Sequence, residues 1–146
     1  MPKPINTVSK DDLLDFQARP TLERYQKLAT RFAVYPGQGT FLGLLYAAGK
    51  MAAEAGELNE KILKAMRDND VVPTGSENGR RVAYLDADLP AELADRWVKE
   101  LGDVLWYASA TANELNARLD YVAGRNLGKL ADRTARGVLQ GNGDDR

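Results

Sequence analysis

The sequence predicts an all-α protein whose core is a four-helix bundle that dimerises, and three observations carry that expectation. Two long segments, about Thr40–Asn69 and Pro90–Asn116, repeat apolar residues at helical spacing, and each contains a stretch apolar all round: Phe41–Gly49 and Val104–Ala108. Such stretches are buried on most sides, beyond what a lone core of this size covers, so a second subunit is expected against them. Finally, the 146 residues suffice for one domain with a real core.

The elements follow in order. Residues 1–8, with Pro2 and Pro4, are expected to be loosely attached. Ser9 is an N-cap for a short helix carrying Leu13, Leu14 and Phe16, with Asp11 and Asp12 in its first turn and Pro20 as its end. Thr21 caps the next helix, where Tyr25, Leu28, Ala29 and Phe32 recur, and Tyr35–Gly39 is a turn. The first long helix should bury Phe41, Leu44, Leu45, Ala48, Met51, Ala52, Ala55, Leu58, Ile62 and Met66, with Glu54 on the flank. Its Gly43, Gly49 and Gly56 mark either close approach or plain tolerance.

Residues 70–89 break the pattern and form a long connection, in which Arg80–Leu85 is a short strand or extended arm. Asp88 then caps, and Pro90 opens, the second long helix, whose core stripe is Leu93, Ala94, Trp97, Leu101, Val104, Leu105, Ala108, Ala112 and Leu115. The last helix, about Leu119–Arg136, has core positions Leu119, Val122, Ala123, Leu127 and Leu130, with Asn126, Lys129 and Arg133 on a neighbouring face. In domain terms, 1–19 is a leading segment with a short helix, 20–137 the helical domain and 138–146 a flexible or docked tail.

Composition excludes much chemistry. Without cysteine or histidine there is no thiol nucleophile, iron–sulfur cluster, Ser-His-Asp triad or His-ligated metal, so carboxylates are the remaining metal ligands. Net charge is −1 without a basic block, which argues against nucleic acid as partner; no segment has the length or hydropathy of a membrane span, and a cytoplasmic location is expected.

Glu54-x-x-Glu57 and Glu100-x-x-Asp103 each place two carboxylates on one helix face. Four carboxylates converging from two helices would resist ionisation unless a cation lay among them, and hard oxygen ligands suit Mg²⁺ or Mn²⁺. The same spacings also allow plain ion pairs four apart: Lys50 with Glu54, Glu57 with Lys61, Glu60 with Lys64 and Lys99 with Asp103. Lys129 and Arg133, like charges four apart, suit an anion such as phosphate or a solvated basic face near a helix end. Trp106, Phe41, Tyr46 and Tyr35 are candidates for base stacking or for the core.

The strings Glu100-Leu101-Gly102-Asp103-Val104-Leu105-Trp106-Tyr107 and Asn126-Leu127-Gly128-Lys129-Leu130-Ala131-Asp132-Arg133 go beyond spacing. With Glu54-x-x-Glu57, they resemble the motifs of the MazG-type all-α nucleoside triphosphate pyrophosphohydrolases. The ending from Arg136-Gly137 to Gly141-Asn142-Gly143-Asp144-Asp145-Arg146 resembles the tail of one bacterial and phage branch, and Tyr25-Gln26 and Thr30 fit that branch more weakly. The likeness runs from Tyr25 to the C-terminus, the 70–89 connection apart. Many relatives carry two adjacent glutamates where this chain has Ala53-Glu54, which bears on the number of metal ions.

The resemblance implies hydrolysis of a nucleoside triphosphate to monophosphate and pyrophosphate in a homodimer or homotetramer. Glu54, Glu57, Glu100 and Asp103 would hold Mg²⁺ or Mn²⁺, Lys129 and Arg133 the pyrophosphate portion, and Asn126 phosphate or sugar. Tyr107 would orient a phosphate or the sugar edge, with Lys50 and Trp106 further candidates for the substrate and Lys61 and Lys64 for phosphate charge. The alternative is a non-catalytic helical module that binds a nucleotide or a protein.

Overall fold

The computed structural model describes residues 8–68, 74–77, 80–84 and 89–138, the side chains of 74–77 and 80–84 excepted. These residues form helices α1 (Lys10–Ala18), α2 (Leu22–Ala29), α3 (Phe41–Arg67), α4 (Ala91–Glu114) and α5 (Leu119–Ala135), a 3₁₀ turn at Thr30–Phe32, and two strands, β1 (Thr74–Glu77) and β2 (Arg80–Tyr84). The all-α expectation therefore stands, with a hairpin added. No helix among the described residues is long and apolar enough to cross a membrane.

The chain gathers into two compact units, one from Met1–Leu44 with Ser109–Arg146 and one from Leu45–Ala108. In the first, α1 starts where its sequence places it: Ser9 and Asp12 form a reciprocal cap, the Ser9 backbone N–H donating to Asp12 at 2.9 Å and the Asp12 N–H to Ser9 Oγ at 3.1 Å. Thr21 caps α2 one way, its Oγ1 accepting from the Arg24 N–H, and Arg24 binds Asp15 across the α1–α2 turn. Gly37 and Gly39 take positive φ in the turn before α3. Gly43 lies so close to the Gly37 carbonyl and the Glu114 carboxylate that a Cβ there would collide with both. Gly49 and Gly56 face open space, so close approach holds for Gly43 alone of the three.

The centre of this unit is a polar junction. Gln26 is buried; its Nε2 donates to Asn113 Oδ1 at 2.7 Å and to the Ala117 carbonyl at 2.9 Å, while its Oε1 accepts from the Leu119 N–H at 2.8 Å, where α5 begins. Asn113 in turn donates to Thr30 Oγ1 at 2.6 Å. Beside it, Glu114 accepts from the Tyr35 hydroxyl at 2.6 Å and from the Gly39 N–H at 2.8 Å. Burial and the Glu114 negative charge hold the Tyr35 hydroxyl well above the usual phenol range.

In the second unit α3 and α4 run antiparallel. Lys50 of α3 stands beside Tyr107 of α4, and Lys61 beside Glu100. The hairpin pairs Thr74 with Tyr84 and Glu77 with Arg80, with an irregularity between Thr74 and Ser76. Of the two forms expected at 80–85, short strand or extended arm, the strand is found over Arg80–Tyr84, and its partner β1 lies in residues read from their glycine and serine as connection only.

The expected core stripes need correction. Phe41, Leu45, Ala52, Ala55 and Met66 of α3 are exposed, as are Leu101, Leu105 and Leu115 of α4 and Val122, Leu127 and Leu130 of α5; Phe41 reaches 77% and Leu127 67%. Gly43, Ala47 and Ala65 are buried instead, and Glu54 and Glu100 turn inward on the stripes that hold Leu58 and Val104. Periodicity cannot choose a face where two faces are apolar, and the inward position goes to the carboxylates that find cations there. The expectations for residues 1–7, Asp88 and the tail 139–146 lie outside the described residues.

Candidate functional site: an acid–lysine cluster on α3 and α4

Glu54 and Glu57 lie one turn apart on α3, and Glu100 and Asp103 one turn apart on α4. The side chains of Glu54 and Glu100 are 13% and 15% exposed, and each meets a lysine. Lys50 Nζ lies 2.8 Å from Glu54 Oε1 along α3, whereas Lys61 crosses to α4 to pair with Glu100.

The pairing departs from simple i, i+4 arithmetic in an informative way. Lys50–Glu54 and Glu60–Lys64 form as spacing suggests, but Lys61 takes Glu100, and Lys99 takes Asp95 at 2.6 Å. The Lys61 ammonium is held above its usual range first by its hydrogen bond to Glu100, and then by the charges of Glu100, Glu57 and Asp103. Three of the four carboxylates thus act on one ammonium. Lys50 is raised in the same way, by Glu54 first and with contributions from Tyr107 and Glu57.

Tyr107, one turn beyond Asp103, completes the cluster. Lys50 Nζ lies 5.6 Å from its ring centroid, and Trp106 packs edge-on at 4.7 Å. Burial raises the Tyr107 hydroxyl, aided by Tyr46, Glu54 and Asp103 and opposed by Lys50.

The donor chemistry suits a hard divalent cation: all-oxygen ligands, low exposure at Glu54 and Glu100, and negative charge that has drawn in ammonium groups. The side chains do not, however, converge on one point. Among the described residues no three acidic side chains come together closely enough to hold an ion. In this arrangement the lysines supply the neutralising charge.

The remaining sequence candidates belong to the other unit. On α5, Asn126 and Lys129 are exposed, with Asn126 and Lys129 among the residues edging a shallow surface depression, while Arg133 is buried. Tyr35 is engaged by Glu114, and Phe41 is exposed at the start of α3. The cross-helix role of Lys61 was missed because the ion pair that spacing suggests, with Glu57, stays on one helix. The antiparallel register would have found it: Lys50–Tyr107 and Lys61–Glu100 are rungs of one ladder.

Fold and site together define a helical protein with two antiparallel helices, each carrying a pair of carboxylates and joined by the Lys61–Glu100 ion pair. The chain belongs to the same family as the Gene 37 protein of Mycobacterium phage L5, to which it is 41% identical over 125 residues, 84% of this chain and 96% of that relative. No family model matches the chain, and no solved structure matches it.

Proposed function

We propose that the chain is a Mg²⁺- or Mn²⁺-dependent nucleoside triphosphate pyrophosphohydrolase of the MazG type, which converts a (d)NTP and water to the (d)NMP and pyrophosphate. One observation carries the reading: Glu54 and Glu100, at low exposure on antiparallel helices, are each met by a lysine ammonium, and Lys61 crosses from one helix to the other to do so. Carboxylates held at low exposure on facing helices need a cation beside them, and this chain has no histidine or cysteine to offer a softer metal.

When bound, the cation would offset phosphate charge and lower the pKa of a water. Water adds to the α-phosphorus, the bond to the bridging oxygen breaks, pyrophosphate departs with that oxygen, and a carboxylate of the set takes the proton. Glu54, Glu57, Glu100 and Asp103 would hold the cation, and Lys50 and Lys61, once displaced from Glu54 and Glu100, have phosphate as their new partner. Tyr107 stands beside Lys50, with Trp106 packed against its ring, where they would orient a phosphate or sugar. Asn126, Lys129 and Arg133 enter the reading through the sequence resemblance alone, for the pyrophosphate and sugar.

The dimer or tetramer with a four-helix core belongs to the same proposal, and so does a cytoplasmic location. The apolar residues left open on α3, α4 and α5, such as Leu45, Leu101 and Leu127, support association of copies. The lysine pairs also favour a second reading, a non-catalytic module that binds a nucleotide or a protein, because they neutralise Glu54 and Glu100 without a metal.

The deciding assay measures release of pyrophosphate and monophosphate from a panel of canonical and modified NTPs and dNTPs, with Mg²⁺ and with EDTA. Metal-dependent pyrophosphate release by wild-type protein, absent in Glu100→Gln, is the expected result. Release of orthophosphate instead, or no release from any member by folded protein, overturns the reading.

A further inference from the structure

Beside the acid–lysine cluster, and inside the same unit, α3 and α4 enclose a cleft of about 350 Å³, within the size range of small-ligand sites. Its apolar lining is Trp97 and Leu93 of α4 with Ala65 of α3. Trp97 is half-buried and, one turn before Glu100, lies about 4.5 Å along the helix axis from it. Around this lining stand the cations Lys64, Arg96 and Lys99, and the Lys61–Glu100 pair joins the cleft to the cluster.

The cations are held loosely. Lys64 pairs with Glu60, Arg96 with Glu92 and Lys99 with Asp95, each four residues away along its own helix and each with a side chain at least half exposed. Exposed pairs of this kind stabilise little, so a ligand can redirect the cations at small cost. Lysine and arginine are donors only, and their natural counterparts are carbonyl oxygens, ring nitrogens and phosphate. Two carboxylates also line the cleft: Glu100, which Lys61 holds, and Asp68, whose oxygens accept from the adjacent Arg67 in an exposed pair that a ligand can displace as readily as the others.

We propose that this cleft takes the base of a nucleotide, stacked on Trp97, and that its cationic rim selects bases with a carbonyl at purine position 6 or pyrimidine position 4, guanine, uracil and thymine, over adenine and cytosine, whose amino group there is a donor that would face the cations. A free phosphate would use the rim and leave the indole idle, and an apolar ligand would use the indole and leave the cations unpartnered. A base attached to a polyphosphate uses both. Guanine adds a match for Asp68, which accepts from its ring N–H and amino group while Arg96 or Lys64 donates to its O6 and N7. The placement agrees, because Lys61 and Glu100 line the same cleft as Trp97 and lead from it to the cluster, the side on which the phosphates would lie. Specificity in this form deepens the pyrophosphohydrolase reading and rests on it for the direction of the phosphates.

The test is calorimetric binding, in Mg²⁺, of an α,β-methylene guanosine triphosphate and of inorganic tripolyphosphate, which has no base. Trp97→Ala should weaken the nucleotide about tenfold and leave tripolyphosphate unchanged, with Trp97→Phe recovering most of the loss. Equal loss on both ligands, or on neither, overturns the proposal. Should Trp97→Ala fail to fold, the exposed double variant Lys64→Gln/Arg96→Gln decides: it must erode the preference for guanosine and uridine over adenosine and cytidine analogues, and an unchanged preference overturns the cleft. The two readings fail separately. Wild-type protein that binds the analogue with carbonyl-edge preference but hydrolyses no triphosphate refutes the hydrolase and retains the cleft; turnover with an unchanged KM in Trp97→Ala refutes the cleft and retains the hydrolase.

Discussion

The two units handle buried polarity in opposite ways. Around Gln26, neutral amides and backbone groups satisfy one another completely enough to fix the start of α5 and the end of α4 in one arrangement. Around Glu54 and Glu100, charge is balanced by lysines whose side chains are 36% and 46% exposed and can move away. A matched amide network has nothing to gain from a ligand, whereas carboxylates neutralised by mobile ammonium groups can trade that partner for another cation. The difference separates a part that positions from a part that exchanges.

The sharpest way to break this contrast is Glu100→Gln. Pyrophosphate release in Mg²⁺ should fall by roughly 100-fold or more while the far-ultraviolet circular dichroism stays that of the wild type; retained turnover would sink the metal role. Gln26→Ala is the converse experiment. It strands the Leu119 N–H and the Ala117 carbonyl, so urea unfolding should show a loss of about 2–4 kcal/mol, with metal-binding residues untouched. A loss below about 0.5 kcal/mol would mean that the junction is ornamental.

Smaller effects sharpen the exchange idea. Lys61→Met removes the ammonium that competes for Glu100, so Mn²⁺ binding without nucleotide, followed by electron paramagnetic resonance, should tighten by up to about fivefold. Weaker binding would show that Lys61 assembles the acids and does not compete for them. The smallest effect concerns the Ser9–Asp12 cap. The Asp12 carboxyl is held below its ordinary value of 3.8 by the Ser9 backbone N–H first, then the Ser9 hydroxyl and Arg31. Its folded value is depressed, so the cap's contribution is present above pH 3.8 and is lost as pH falls through that lower folded value. Thermal melts of Asp12→Asn should therefore lack a slight acid-side slope that the wild type has, and identical slopes would remove Asp12 from the account.

Helix starts were legible because capping is local: Ser9 and Thr21 announce themselves within four residues. The acids were legible for the same reason, as pairs on one face. What escaped depended on the partner helix. Leu101 and Glu100 compete for one inward position on α4, and only the register against Lys61 decides between them. Strand β1 escaped because Thr74-Gly75-Ser76-Glu77 has little intrinsic preference for a strand and takes that form by pairing with β2.

Gly43 carries a last consequence, for variation in the gene. Its neighbours, the Gly37 carbonyl and the Glu114 carboxylate, leave no room for even a methyl group, whereas Gly49, Gly56 and Gly102 open onto space. A saturation library screened for folded protein should then be emptied at codon 43 and filled at the other three. Glycines that look interchangeable on paper are sorted by such a screen into one that the backbone requires and several that drift or a partner could change.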